Sequence, residues 1–128
     1  MRLLLDTQIF LWYVTHDLRL KNDHVLAIRN PQNDVYLSVV SQWEATVKYD
    51  LGKLPLPTSP EIFIPNQRRG HRFRTLPITE DCVSKLAGLP MIHRDPFDRM
   101  LISQAISAGL TIVTADSMIE QYAVSVIS

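Results

Sequence analysis

Four runs along the chain are apolar at nearly every position and bounded by polar or turn residues: Arg2 to Leu5, Val35 to Val40, Thr111 to Ala115 and Val124 to Ile127. Unbroken apolar runs of this length predict strands buried on both faces. Strands of that kind belong to a parallel sheet covered on both sides. Phe73 to Ile78 is a weaker fifth candidate. Its Pro77 cannot donate to a strand ladder, so it places the strand at an edge or ends it.

Between these runs the spacing of apolar residues becomes helical. Thr7 to Val14 is almost wholly apolar and follows the first strand directly. Lys21 to Arg29 carries Val25, Leu26 and Ile28 and stops at Asn30-Pro31, since the residue before a proline is pushed out of helical geometry. Gln42 to Leu51 sets Trp43, Val47 and Leu51 at helical spacing before Gly52. Ser59-Pro60 opens another helix in the order cap, then proline, and Thr79 to Ala87 predicts a short one. The strongest is Pro96 to Ala108, with Phe97, Met100, Leu101, Ala105 and Ile106 on one face and Gly109 closing it. Ser117 to Tyr122 adds a turn or two, and the proline-rich Leu54 to Pro60 reads as a surface loop. The order β-α-α-β-α-α-β-α-α-β-α-β predicts an α/β fold, a three-layer α/β/α sandwich around a mostly parallel five-stranded sheet. The expectation is one domain over residues 1–128. In such sheets ligands bind beyond the C-terminal ends of the strands, where the strand order reverses.

Composition narrows the function classes. The chain has 128 residues, 46% hydrophobic and 20% charged, which excludes a disordered or membrane-spanning character. No apolar stretch approaches the roughly 20 residues of a spanning helix. Leu3-Leu4-Leu5 is cut short by Asp6 and does not read as a signal peptide. The expected location is the cytoplasm, with no membrane partner. Thirteen basic and thirteen acidic residues give a formal charge of zero. Bulk charge therefore cannot hold a nucleic acid, which leaves a local basic strip or a bound cation for that task. The single cysteine, Cys82, excludes a disulfide framework and a multi-cysteine zinc site, and reads as a small buried apolar residue.

Four acids fall in one kind of place. Asp6 follows the first strand directly and Asp116 follows the strand Thr111 to Ala115. Glu44 sits in the first turn of the helix after Val35 to Val40, and Asp98 in the first turn of the helix that leads into the strand at Thr111. Each has a plain alternative as a helix-capping group: Asp6 and Asp116 as N-caps, Ser41-Gln42-Trp43-Glu44 as a capping box, and Asp95-Pro96-Phe97-Asp98 as cap, proline and first-turn acid. A cap contributes roughly 1 kcal/mol. Two carboxylates about 5 Å apart repel by roughly 3 kcal/mol at an effective dielectric near 20. Gathering several at one crevice costs more than the caps return unless a cation sits between them. Oxygen ligands of this type suit Mg²⁺, with Mn²⁺ as a substitute. Such an ion binds phosphate oxygens and lowers the pKa of bound water, which fits phosphodiester hydrolysis. It would also supply the positive field that a neutral chain lacks.

The stretches Leu3-Leu4-Leu5-Asp6-Thr7, Ser38-Val39-Val40-Ser41-Gln42-Trp43-Glu44, His93-Arg94-Asp95-Pro96-Phe97-Asp98-Arg99 and Thr114-Ala115-Asp116 resemble the successive motifs of PIN-domain ribonucleases. More narrowly, they resemble the VapC-type toxins of toxin–antitoxin pairs. The resemblance runs nearly end to end and is most specific at Arg94 to Arg99. It implies a PIN-like fold and a Mg²⁺-dependent endoribonuclease acting on an RNA substrate. By position it makes Asp6, Glu44, Asp98 and Asp116 the catalytic and metal-holding quartet, with Asp6 and Asp98 the firmest ligands, and Thr7 and Ser41 supporting them. It also implies a small antitoxin partner and a homodimer.

Arg94 and Arg99 flank the acids and are candidates for phosphate contact. His93 reads as a plain loop residue. Arg68, Arg69, Arg72 and Arg74, with His71 and Phe73, form the one basic strip, which could track an RNA backbone with Phe73 as a stacking platform but reads first as a solvated helix end. The apolar run Ile9 to Val14 exceeds one helical stripe and offers core, with any surplus for a dimer or antitoxin face. The rivals are a receiver-like α/β module and a non-catalytic PIN-like binding module. The first would want a lysine after a late strand, and Thr111 to Ser117 has none. The four acids speak against the second.

Overall fold

The computed structural model describes residues 1–128. The strands are β1 (Arg2–Leu5), β2 (Asp34–Ser38), β3 (Arg74–Leu76), β4 (Thr111–Val113) and β5 (Val126–Ile127). The helices are α1 (Thr7–Val14), α2 (Asn22–Arg29), α3 (Val39–Asp50), α4 (Pro60–Gly70), α5 (Glu80–Lys85) and α6 (Pro96–Ala108), with 3₁₀ turns at Leu86–Gly88 and Ile119–Gln121. All pairings are parallel, in the order β3-β2-β1-β4-β5. β1 is central, and β2 and β4 flank it. The chain turns from one side of β1 to the other between β3 and β4, so the order reverses beside β1 at its border with β4.

Two apolar layers enclose this sheet. Leu3 and Leu5 of β1 face Ile9 and Phe10 of α1, Ile28 of α2 and Ile64 of α4. Leu4 points the other way, with Ile112 of β4, onto Leu101, Ile102 and Ala105 of α6. Leu3, Leu4 and Leu5 are all fully buried, each contributing about 1.5–3 kcal/mol relative to exposure. That double burial is why the run carries no polar alternation. Cys82 is buried in the second layer. No helix is long and apolar enough to cross a membrane.

Several boundaries differ from the sequence reading. The run Val35 to Val40 divides, with β2 ending at Ser38 and α3 starting at Val39. Ser38 Oγ accepts from the Val40 N–H at 3.0 Å and caps the helix. Val40 is apolar because it packs under α6, not because it belongs to the sheet. β3 sits at the sheet edge, as Pro77 requires. Ser117 to Tyr122 does not form a helix: Asp116 Oδ1 accepts from the Met118 N–H at 2.9 Å, and only a 3₁₀ turn follows.

Candidate metal centre

Asp6 leaves β1 as the N-cap of α1, its Oδ1 accepting from the Ile9 N–H at 2.7 Å. Its Oδ2 accepts from Thr114 Oγ, the hydroxyl that follows β4. β1 and β4 are neighbours in register, which brings residues 6 and 114 together. Asp6 is thus both a cap and a member of the acidic cluster; the two readings are compatible.

Glu44 lies a turn deeper in its helix than the sequence reading placed it, because α3 begins at Val39. The Ser41–Glu44 capping box does not form. Ser41 Oγ instead accepts from Thr7 Oγ at 2.8 Å in a buried bond. These hydroxyls therefore brace α1 against α3, the helices behind Asp6 and Glu44, and do not bond the acids themselves. Lys48, one turn on, pairs with Glu44 Oε2. Glu44 Oε1 is buried and has no hydrogen-bond partner.

Asp95 caps α6, accepting from the N–H groups of Phe97 (2.8 Å) and Asp98 (3.1 Å). Pro96 at the first helical position gives up no needed donor. Asp98 then projects from the first turn. Asp116 stands two residues past Thr114, which holds it by accepting from its N–H at 3.0 Å. Asp6, Glu44, Asp95, Asp98 and Asp116 together line one cavity of about 500 Å³, with Lys48 and Lys53 in its wall.

The chemistry of crowding is visible in the carboxyls. Burial pushes Asp6 up to about 6, against the hydrogen bonds from Thr114 and Ile9, with Glu44 and Asp116 adding repulsion. Burial likewise pushes Asp98 up to about 7, with Asp95, Glu44 and Asp6 raising it further and His93 opposing. The Lys48 ammonium is lowered by burial but raised more by Glu44, Asp95 and Asp98, so it is held charged. Two carboxyls that resist ionisation, Asp6 and Asp98, beside a Glu44 oxygen buried without a partner, fit a hard divalent cation.

Three site features escaped the sequence reading. Lys48 had a legible signal, its i,i+4 spacing from Glu44. Lys53 and the donor Thr114 had none, since each depends on which strands and loops become neighbours. His93 is no plain loop residue: it is buried, with Nε2 2.7 Å from Asp116 and 3.1 Å from Asp98.

Of the two arginines expected to touch phosphate, Arg94 is exposed next to the cluster. Arg99 is committed elsewhere. Its guanidinium donates to Pro90 O at 2.8 Å and Tyr122 Oη at 3.3 Å, so its fork ties down the loop before α6. In the basic strip Phe73 is 5% exposed and belongs to the core, which removes it as a stacking platform. Arg74 pairs with Asp34 at 3.5 Å. In the run Ile9 to Val14, residues 9–11 are buried core, and Trp12, Tyr13 and Val14 form its half-exposed margin.

Comparison with known proteins gives concordant results. A family model described as "PIN domain" matches residues 3–125. Ribonuclease VapC16 of Mycobacterium tuberculosis is 33% identical over 60 residues, which cover 47% of this chain and 41% of that protein. The matched stretch therefore spans less than half of that curated relative. Among solved structures, VapBC2 from Rickettsia felis, crystallised on a DNA fragment from its promoter, superposes with a TM-score of 0.73 at 17% identity, covering 99% of this chain and 98% of that one. FitAcB from Neisseria gonorrhoeae gives 0.65 at 19% identity, with 98% and 96% covered. A toxin–antitoxin complex from Klebsiella pneumoniae gives 0.62 at 16%, with 98% and 95% covered. At such identities these structures speak to the fold.

Proposed function

The chain belongs to the PIN domain family, and on that premise we propose that it is a Mg²⁺-dependent endoribonuclease, the toxin of a toxin–antitoxin pair. The observation that carries the proposal is the convergence of Asp6, Glu44, Asp98 and Asp116 on one cavity, with Glu44 Oε1 buried and unpartnered. Asp6 and Asp98 are the principal holders of the cation, and Glu44 and Asp116 complete the set. When bound, Mg²⁺ or Mn²⁺ supplies charge stabilisation at phosphate oxygens and acidifies a water.

The remaining work falls to the protein. Thr114 and the Ile9 N–H fix the Asp6 carboxylate by occupying one lone pair on each oxygen. Lys48 holds Glu44 Oε2, which leaves the buried Oε1 without a protein partner. Lys48, Lys53 and the exposed Arg94 are the cations placed to receive an RNA backbone, which the five lining acids would otherwise repel. The partners proposed with this activity are an RNA substrate, a small antitoxin protein and a second copy of the chain, in the cytoplasm.

The test is cleavage of RNA by the purified protein. Activity is expected with Mg²⁺ or Mn²⁺, lost in EDTA and restored by either ion. Asp98→Asn is expected to lower the rate by at least a hundredfold while remaining folded. Cleavage that persists in chelator would refute the proposal.

A further inference from the structure

His93 is the one nitrogen among the acids' close neighbours that could itself be a ligand. Its Nε2 and the carboxylate oxygens of Asp98 and Asp116 lie within 4.8 Å of one another, which taken alone suggests a His-Asp-Asp metal site. The surroundings of the ring argue otherwise. The backbone N–H of His93 donates to Tyr122 Oη at 2.8 Å, and that hydroxyl donates to Pro90 O at 2.9 Å. The segment is thereby pinned. Within it, the Asp95 N–H donates to His93 Nδ1 at 3.1 Å. A ring nitrogen that accepts carries no proton, so the proton of the neutral imidazole is on Nε2. That N–H is aimed at Asp116 Oδ2 at 2.7 Å, and Asp98 Oδ2 stands beside it, 3.1 Å from Nε2 and off the N–H direction. To ligate through Nε2 the ring would have to move its proton to Nδ1, against the Asp95 N–H.

We propose that His93 is a positioning residue and not a ligand: its Nε2–H clamps the Asp116 carboxylate beside Asp98 Oδ2, so that the two acids, which stand on different elements, act together on an oxygen-bound divalent cation. This rests on the proposed metal site and assigns a role to a residue outside the quartet. Outer partners that orient metal-binding carboxylates typically govern affinity by 10–100-fold. The clamp also sets metal preference. With the imidazole withheld, the site offers oxygen alone and favours Mg²⁺ and Mn²⁺ over the nitrogen-seeking Zn²⁺.

Two measurements decide it, neither of which needs RNA cleavage. Long-range ¹H–¹⁵N NMR of the imidazole is expected to show the proton on Nε2, unchanged when Mg²⁺ is added. A proton on Nδ1, or loss of the Nε2 proton with Mg²⁺, overturns the clamp. Mn²⁺ binding, read from the free-ion EPR signal, is expected to weaken at least tenfold in His93→Ala and to stay within about threefold of the parent in His93→Gln. The Gln amide nitrogen reaches the Nε2 position and can donate there. Equal loss in both variants makes the ring a ligand; no loss in His93→Ala makes it a bystander, and either result sinks the proposal. If His93→Ala does not fold, the Gln variant and the NMR of the parent still decide. Absence of Mn²⁺ binding by the parent removes the metal site itself, an outcome distinct from a parent and His93→Ala that bind alike.

Discussion

At the scale of single residues, Asp6 and Asp98 are held in surroundings that oppose their ionisation, at a cost in stability. The folded chain holds protons on Asp98 up to about pH 7 and on Asp6 up to about pH 6, well above the ordinary value of 3.8. The folded state therefore binds more protons than the unfolded one between those limits, and stability falls as pH rises through them. In chelator, the melting temperature is expected to decline between pH 5 and pH 8, and Asp98→Asn should flatten that decline and melt at or above the parent at pH 8. A parent whose melting temperature climbs over this range would contradict the assignment. That Asp6, Asp98 and Asp116 share one cavity was legible because each sits beside a strand or helix boundary that the apolar pattern marks. The roles of Thr114 and His93 were not, because each acts on an acid more than 20 residues distant or on the far side of the sheet's reversal. Arg99 misled for a related reason: an arginine's position in the chain does not reveal whether loop carbonyls have already taken its donors.

Among the elements, α3 and α6 carry Glu44 and Asp98, and α6 is tied to the β2–α3 junction by a buried bond, Ser38 Oγ to Gln104 Oε1 at 2.6 Å. Gln104 Nε2 continues it to Pro77 O at 3.0 Å. Gln104→Leu strands the Pro77 carbonyl and the Ser38 hydroxyl, and is expected to cost about 1–3 kcal/mol, measurable by urea denaturation. A loss below a few tenths of a kcal/mol would mean that water replaces the amide. Gly109 closes α6 at φ 68°, where a side chain is strained, so Gly109→Ala is expected to cost about 1–2 kcal/mol. Denaturation at an unchanged midpoint would count against that. The helix ends at Asn30, Asp95 and Gly109 were legible from capping chemistry alone. The β2–α3 junction was not: a run buried first by the sheet and then by a helix keeps one hydrophobic signature through a change of backbone geometry.

For the whole molecule, neutrality conceals segregation. Five of the thirteen acids line one cavity that has two lysines in its wall, so the charges that sum to zero in composition are not balanced locally. A divalent cation bound to the folded chain alone stabilises it by mass action, about 2.7 kcal/mol at a hundred times its dissociation constant. Thermal scans at pH 7.5 should accordingly move up by several degrees with millimolar Mg²⁺ or Mn²⁺, and the shift should vanish in an Asp6→Asn/Asp98→Asn double variant. An equal shift in the double variant would place the ion elsewhere. The parallel order of the strands was legible from their unbroken apolar character, whereas the spatial sequence β3-β2-β1-β4-β5 was not, because nothing in a buried strand names its neighbour.

During synthesis the central strand β1 waits for one of its two neighbours, β4, which begins at residue 111. Until then β1 has an open edge, Asp6 lacks its Thr114 donor, and the last of the four acids does not exist. A chain synthesised only up to this point has no assembled acidic cavity, so the site comes into being in a single late step, when β4 docks against β1.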